Sequence, residues 1–188
     1  MKNIIKLSLA IILTAIFLTG CDNSNPLSSE ETGNGGEPET ETIKTPRYMR
    51  IENISVTGFN ENKPNGDTWD WHPTSAAVRK PDIHVILQRD GNYIPAFWSD
   101  ERTNANYTST YVFTKAASEY DGELPFDIPY SRTYNIHLID EDSFNDNDEM
   151  GYVAVKPSSI YGNDNATNFN KNLSRNGVKI KISGAWIF

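Results

Sequence analysis

The segment Asp140-Glu141-Asp142-Ser143-Phe144-Asn145-Asp146-Asn147-Asp148-Glu149-Met150-Gly151 carries six carboxylates and no base. It follows an alternating run, Tyr134, Ile136 and Leu138, and precedes a second apolar run, Tyr152-Val153-Ala154-Val155. Carboxylates crowded where two strands meet repel one another unless a cation neutralises them. Ca²⁺, a hard ion that takes about six to eight oxygen ligands in flexible geometry, suits such a loop, so the segment is a candidate calcium site. An EF-hand does not fit it. Counted from Asp140, the sixth residue is Asn145 where that loop needs glycine, the fifth is the apolar Phe144, and the twelfth is Gly151 rather than glutamate. A transition-metal site lacks ligands: the single cysteine is Cys21, and His84 and His137 fall in separate candidate strands.

The elements that must position this loop read as β throughout. Candidate strands are Tyr48–Phe59, Ile83–Leu87, Ile94–Trp98, Thr108–Thr114, Tyr134–Ile139, Tyr152–Val155 and Val178–Phe188. The last alternates over its whole length, with Val178, Ile180, Ile182, Gly184, Trp186 and Phe188 on one face. Asp90-Gly91 marks a hairpin turn. Only Thr114–Tyr120 has room for a turn of helix. Seven or eight short strands in this length predict an all-β fold, an antiparallel sandwich. An outer-membrane barrel would need longer and more regular strands.

The chain divides into three parts. Residues 1–20 have the layout of a secretory signal: Lys2 and Lys6, then an apolar core from Leu7 to Leu18 that is too short to span a bilayer. Residues 21–46 read as a flexible acidic linker, with Asp22, Glu30, Glu31, Glu37, Glu39 and Glu41 against Lys44 alone, too polar to offset the entropy of ordering. Residues 47–188 form the folded domain, long enough for one core. With the six acidic and three basic residues before it set aside, the domain carries 19 acidic and 14 basic residues. It offers nucleic acid no basic face.

Two resemblances sharpen this reading. Leu18-Thr19-Gly20-Cys21 resembles a bacterial lipobox. That implies an acylated Cys21 carrying chains such as palmitate, a membrane anchor, and a place in a bacterial cell envelope, at the outer membrane. Tyr134–Val155 resembles the third calcium-binding loop of a C2 domain with its flanking strands. Asp140, Asp142 and Asp148 stand at that family's aspartate positions, Phe144 at its aromatic tip, and Met150-Gly151 at its apolar-glycine pair. Met49–Phe59 resembles the family's opening strand. In the first loop Asp82, beside Pro81, fits one aspartate position and Asp70 the other, with Asp67 as the fallback; the twelve-residue separation of Asp70 and Asp82 is about twice the usual one.

The C2 resemblance implies an eight-stranded C2-like β-sandwich in its circular variant, with a Ca²⁺ cage of Asp70, Asp82, Asp140, Asp142 and Asp148. It also implies an amphipathic rim of Trp69, Trp71 and Phe144 for a phospholipid or other surface. In that family the ion bridges loop carboxylates to an anionic head group. Binding outside the cytoplasm is expected at roughly 10⁻⁴–10⁻³ M. The functional expectation is an envelope lipoprotein whose domain binds calcium and, through it, a lipid, glycan or protein surface. The alternative is a non-catalytic accessory lipoprotein without calcium dependence. No nucleophile elbow, zinc-protease or phosphate-loop motif is present, and an enzyme is not expected.

Overall fold

Alternation along Tyr134–Asp140 buries Tyr134, Ile136, Leu138 and Asp140 and leaves the residues between them half-exposed. A period-two strand turns every second side chain to the same face. The phase set by three apolar residues therefore carries the carboxylate of Asp140 into the same layer. That strand, β6, belongs to a computed structural model of the chain that describes residues 42–70, 80–142, 147–162 and 165–188.

Among the described residues, nine strands build two antiparallel sheets. They are β1 (Tyr48–Gly58), β2 (Ile83–Arg89), β3 (Pro95–Trp98), β4 (Tyr111–Phe113), β5 (Phe126–Pro129), β6 (Tyr134–Asp140), β7 (Asp148–Val155), β8 (Asn168–Arg175) and β9 (Val178–Ile187). One sheet runs β4-β1-β9-β8, and the other β3-β2-β6-β7. The last strand pairs beside the first. A short helix, α1 (Pro157–Ile160), precedes β8.

The count exceeds the expected eight because two strands share one edge of β1. β4 pairs with Ile54–Val56 and β5 with Tyr48–Ile51. Thr114–Tyr120, which has room for a turn of helix, does not form one. Backbone groups there are taken up along β3 instead: the Asp100 N–H donates to Lys115 O at 3.0 Å, and Ala117 N–H to Trp98 O at 3.0 Å. Neither β5 nor β8 was expected as a strand. In β8 only Phe169 is buried, so its sequence shows no alternation to read.

The core lies between the two inner faces. β1 supplies Met49, Ile51, Ile54 and Val56, and β9 supplies Val178, Ile180, Ile182 and Trp186. The step from Ile51 to Ile54 breaks period two because a bulge lies between Ile51 and Asn53. Gly184 sits opposite that bulge. A Cβ there would lie 1.9 Å from the Arg50 carbonyl oxygen and 3.1 Å from the Glu52 nitrogen. A second bulge, between Leu138 and Ile139, inserts Met150 into β7 and places Gly151 inside the strand at φ +135°. Gly151 was expected at the return from the acidic loop. The loop is shorter than that, because Asp148 already pairs with Asp140.

The domain's ordered contacts begin before residue 47. Pro46 is buried, the Lys44 N–H donates to Asn165 Oδ1 at 3.1 Å, and the Tyr161 hydroxyl donates to Lys44 O at 3.0 Å. The last residues assigned to the linker are thus pinned to the sandwich.

Gly184→Ala is expected to destabilise the domain by on the order of 2 kcal/mol or more, since backbone rather than a movable side chain blocks the new methyl. Urea unfolding followed by tryptophan fluorescence checks this; an unchanged midpoint would mean that the bulge opens freely.

Candidate metal centre

Described parts of three loops meet at one end of the sandwich: residues 59–70 and 80–82 between β1 and β2, 99–110 between β3 and β4, and 141, 142 and 147 between β6 and β7. Hydrogen bonds tie the start of β2 to the end of β6. The Asp82 N–H donates to Asp140 Oδ1 at 2.9 Å, and the Glu141 N–H donates to the Asp82 carbonyl at 2.8 Å. His84, buried against Trp98, adds a side-chain link from Nδ1 to Glu141 Oε2 at 3.1 Å.

Within this frame Asp70, Asp140 and Asp142 come together. Each offers a carboxylate oxygen, and the three oxygens lie within 4.8 Å of one another. Asp140 is fully buried, while the other two are half-buried. Its Oδ1 accepts the Asp82 N–H, but its Oδ2 is buried with no hydrogen-bond partner. A buried carboxylate oxygen without a donor is strongly unfavourable in an aqueous protein.

The remaining expected ligands stand differently. The Asp82 carboxylate is outside the trio, and its Oδ1 accepts the Asn104 N–H at 2.6 Å, fixing a left-handed residue (φ 51°) in the neighbouring loop. Asp148 is paired with the Lys63 ammonium. The fallback, Asp67, is used inside its own turn, where its Oδ2 accepts from the Asn65 amide at 2.7 Å. So Asp70, despite its doubled separation from Asp82, is the first-loop carboxylate that reaches the cluster.

Trp69 does not form part of a surface rim. It is 4% exposed, and its indole N–H donates to the Asn60 carbonyl at 2.8 Å. An indole so buried and bonded packs under its loop. Trp71, Phe144 and Cys21 lie outside the described residues.

Lys63 was missed from the sequence. Asn62-Lys63-Pro64-Asn65-Gly66-Asp67 shows turn chemistry, but nothing in it tells where the lysine points. The turn closes through the Lys63 N–H to Asp67 O at 2.8 Å and the Gly66 N–H to Lys63 O at 2.9 Å, with Gly66 at φ +92°.

The crowding shows in the acidities. Burial pushes Asp70 up to about 6; the charges of Asp82 and Asp142 and a hydrogen bond with Asp142 add to this, and Lys63 partly offsets it. Burial pushes Asp140 up to about 7, helped by the charges of Asp70 and Asp142 and opposed by the Asp82 N–H and by Lys63. Without a metal, the cluster therefore holds protons that free carboxyls, at 3.8, have already lost.

No protein-family model matches the chain, and no curated protein matches it. The fold is similar to that of solved C2 domains. The first of the C2 domains of a plant extended synaptotagmin is 11% identical, with a TM-score of 0.38 over 74% of this chain and 94% of that one. A structure described only as a C2 domain is 13% identical, with a TM-score of 0.37 over 73% and 94%. Human GIVD cytosolic phospholipase A2 is 14% identical, with a TM-score of 0.39 over 74% of this chain, which spans only 17% of that enzyme. These likenesses are distant, and the chemistry of the site is read from this chain's own side chains.

The raised acidities fix the sign of a pH effect in the metal-free domain. Between about pH 4 and 7 the folded state binds more protons than the unfolded one, so the stability contributed by these groups is complete below that window and is lost as pH rises through it. In chelator, the melting temperature of the parent protein relative to Asp140→Asn is expected to fall from pH 4 to 7.5. A difference that stays flat would mean that the carboxyls ionise freely.

Proposed function

We propose that Asp70, Asp140 and Asp142 bind Ca²⁺ and that the domain is a calcium-dependent, non-catalytic binding module. The observation that carries this is the buried, partnerless Oδ2 of Asp140 in a group of three converging carboxylates. The donor set supports the choice of ion: it is all oxygen, of high charge, and mounted on loops, which suits a hard cation with irregular coordination. On binding, the ion would supply the positive charge that the cluster lacks, displace the protons held by Asp70 and Asp140, and tie Asp70 to the end of β6.

Three carboxylates leave part of a calcium coordination shell for other oxygens. An anionic or hydroxylated group of a lipid, glycan or protein surface is the ligand class that would complete it. The burial of Trp69 removes one of the three aromatics proposed for a membrane-dipping rim, so that role rests on Trp71 and Phe144. The lipobox-like Leu18-Thr19-Gly20-Cys21 supports a chain anchored by acylated Cys21 in a bacterial envelope, with the acidic segment after it as a tether.

Calorimetry on the full chain in detergent tests the metal. Ca²⁺ is expected to bind at roughly 10⁻⁴–10⁻³ M and to raise the melting temperature. Asp140→Asn is expected to weaken binding by about tenfold or more, because it removes both a ligand charge and the buried oxygen. No heat and no thermal shift in the parent protein would remove the proposal. If calcium binds, co-sedimentation of Phe144→Ala and Trp71→Ala with anionic liposomes separates a lipid surface, where binding drops, from another ligand, where vesicles are ignored from the outset.

A further inference from the structure

The calcium reading leaves one charged group at the cluster without a role. Lys63 reaches in from the opposite wall, where its ammonium donates to Asp148 Oδ2. Its side chain is 25% exposed, and the ammonium lies 5.9 Å from the Trp69 ring centroid, within range of a cation–π contact.

This placement is built. The Asn62↔Thr68 bridge, the two backbone bonds across Lys63 and the Asn65–Asp67 bonds close a tight loop. Trp69, sealed to the Asn60 carbonyl, anchors its base in the core. A lysine on such a support is not a freely waving surface cation. Burial opposes its charge, but the hydrogen bond to Asp148 and the fields of Asp148, Asp142 and Asp140 outweigh that and keep it protonated.

We propose that Lys63 is a resident counter-cation: it neutralises the Asp148 side of the cluster, keeps Asp148 out of the coordination shell, and opposes the binding of a divalent ion on Asp70, Asp140 and Asp142. The inference rests on the calcium reading for the identity of the trio, and on the Lys63–Asp148 pair for its own content. An ammonium is a compact charge with donors only, so it satisfies carboxylates but cannot join a metal's ligand set. The field of Lys63 already reaches Asp70 and Asp140, so a divalent ion at the trio meets its repulsion in a partly desolvated site, where a single charge changes affinity by about tenfold. The lysine also offsets part of the like charge gathered at this strand end before any metal arrives.

Calcium calorimetry on the full chain in detergent tests this with Lys63→Met, which keeps the apolar stem over Trp69 and removes the charge. Lys63→Arg serves as the charge-retaining control, and Lys63→Gln as a second neutral variant should the methionine variant fail to melt cooperatively. The neutral variant is expected to bind Ca²⁺ about tenfold more tightly than the parent and to melt at a lower temperature in chelator, while the arginine variant stays within about threefold of the parent.

The outcomes separate the two claims. If the parent binds calcium and the neutral variant binds it equally or more weakly, the counter-cation is overturned and the calcium site stands. If the parent is silent and the neutral variant binds, Lys63 blocks the site outright; the inference stands, and calcium binding by the unmodified protein falls. If both are silent, both claims fall.

Discussion

The buried carboxylate of Asp140 is the constraint around which the loop end of this protein is arranged. Its position is a consequence of strand geometry, since it is the fourth inward-facing residue after Tyr134, Ile136 and Leu138. A charge in that layer is unfavourable unless other groups compensate it. One oxygen is compensated by the Asp82 N–H, which also ties β2 to β6. The other is not, and the group's acidity shifts upward in response.

The surroundings of Asp140 divide into groups that worsen its position and groups that relieve it. Asp70 and Asp142 add like charge at close range, while Lys63 supplies opposite charge from across the cluster. Asp82 contributes mainly through its backbone, its side chain being committed to Asn104 in the next loop. A five-carboxylate cage is thereby split in two. Three side chains converge, one of them with a buried oxygen that has no hydrogen-bond partner, and Asp148 is already neutralised by Lys63. That division connects the sandwich to its proposed function, because only the uncompensated part calls for an external cation.

Legibility from the sequence followed the strength of local pattern. β1, β2, β6 and β9 have alternating apolar residues and were read nearly to their ends. β8 was not read, because an edge strand with one buried residue has no alternation to display. β5 was missed because it holds only four residues, with Ile128 alone fully buried. The bulges at Ile51/Asn53 and Leu138/Ile139 were equally invisible: a one-residue insertion changes pairing without changing composition, although Gly184 and Gly151 are its traces. Within the site, Asp140 and Asp142 followed from the strand and its end. Asp70, Asp82 and Asp148 rested on a likeness of spacing, and of these only Asp70 joins the cluster. The C2 resemblance places Trp69 in an outward rim, whereas its loop folds it inward.

By itself the sequence determined the β class, the inward phase of the strand that ends at Asp140, and the density of acid where a cation would be needed. These are local properties, carried by alternation and charge along one stretch of chain. Which carboxylates converge, which one is neutralised and which tryptophan is buried were decided only by tertiary structure. Those outcomes depend on residues from loops 59–82 and 141–147 meeting across the end of two sheets. Lys63 shows the reason most directly. Its partner Asp148 is 85 positions away in the chain, and nothing local to a tight polar turn reveals that its side chain reaches another loop's carboxylate.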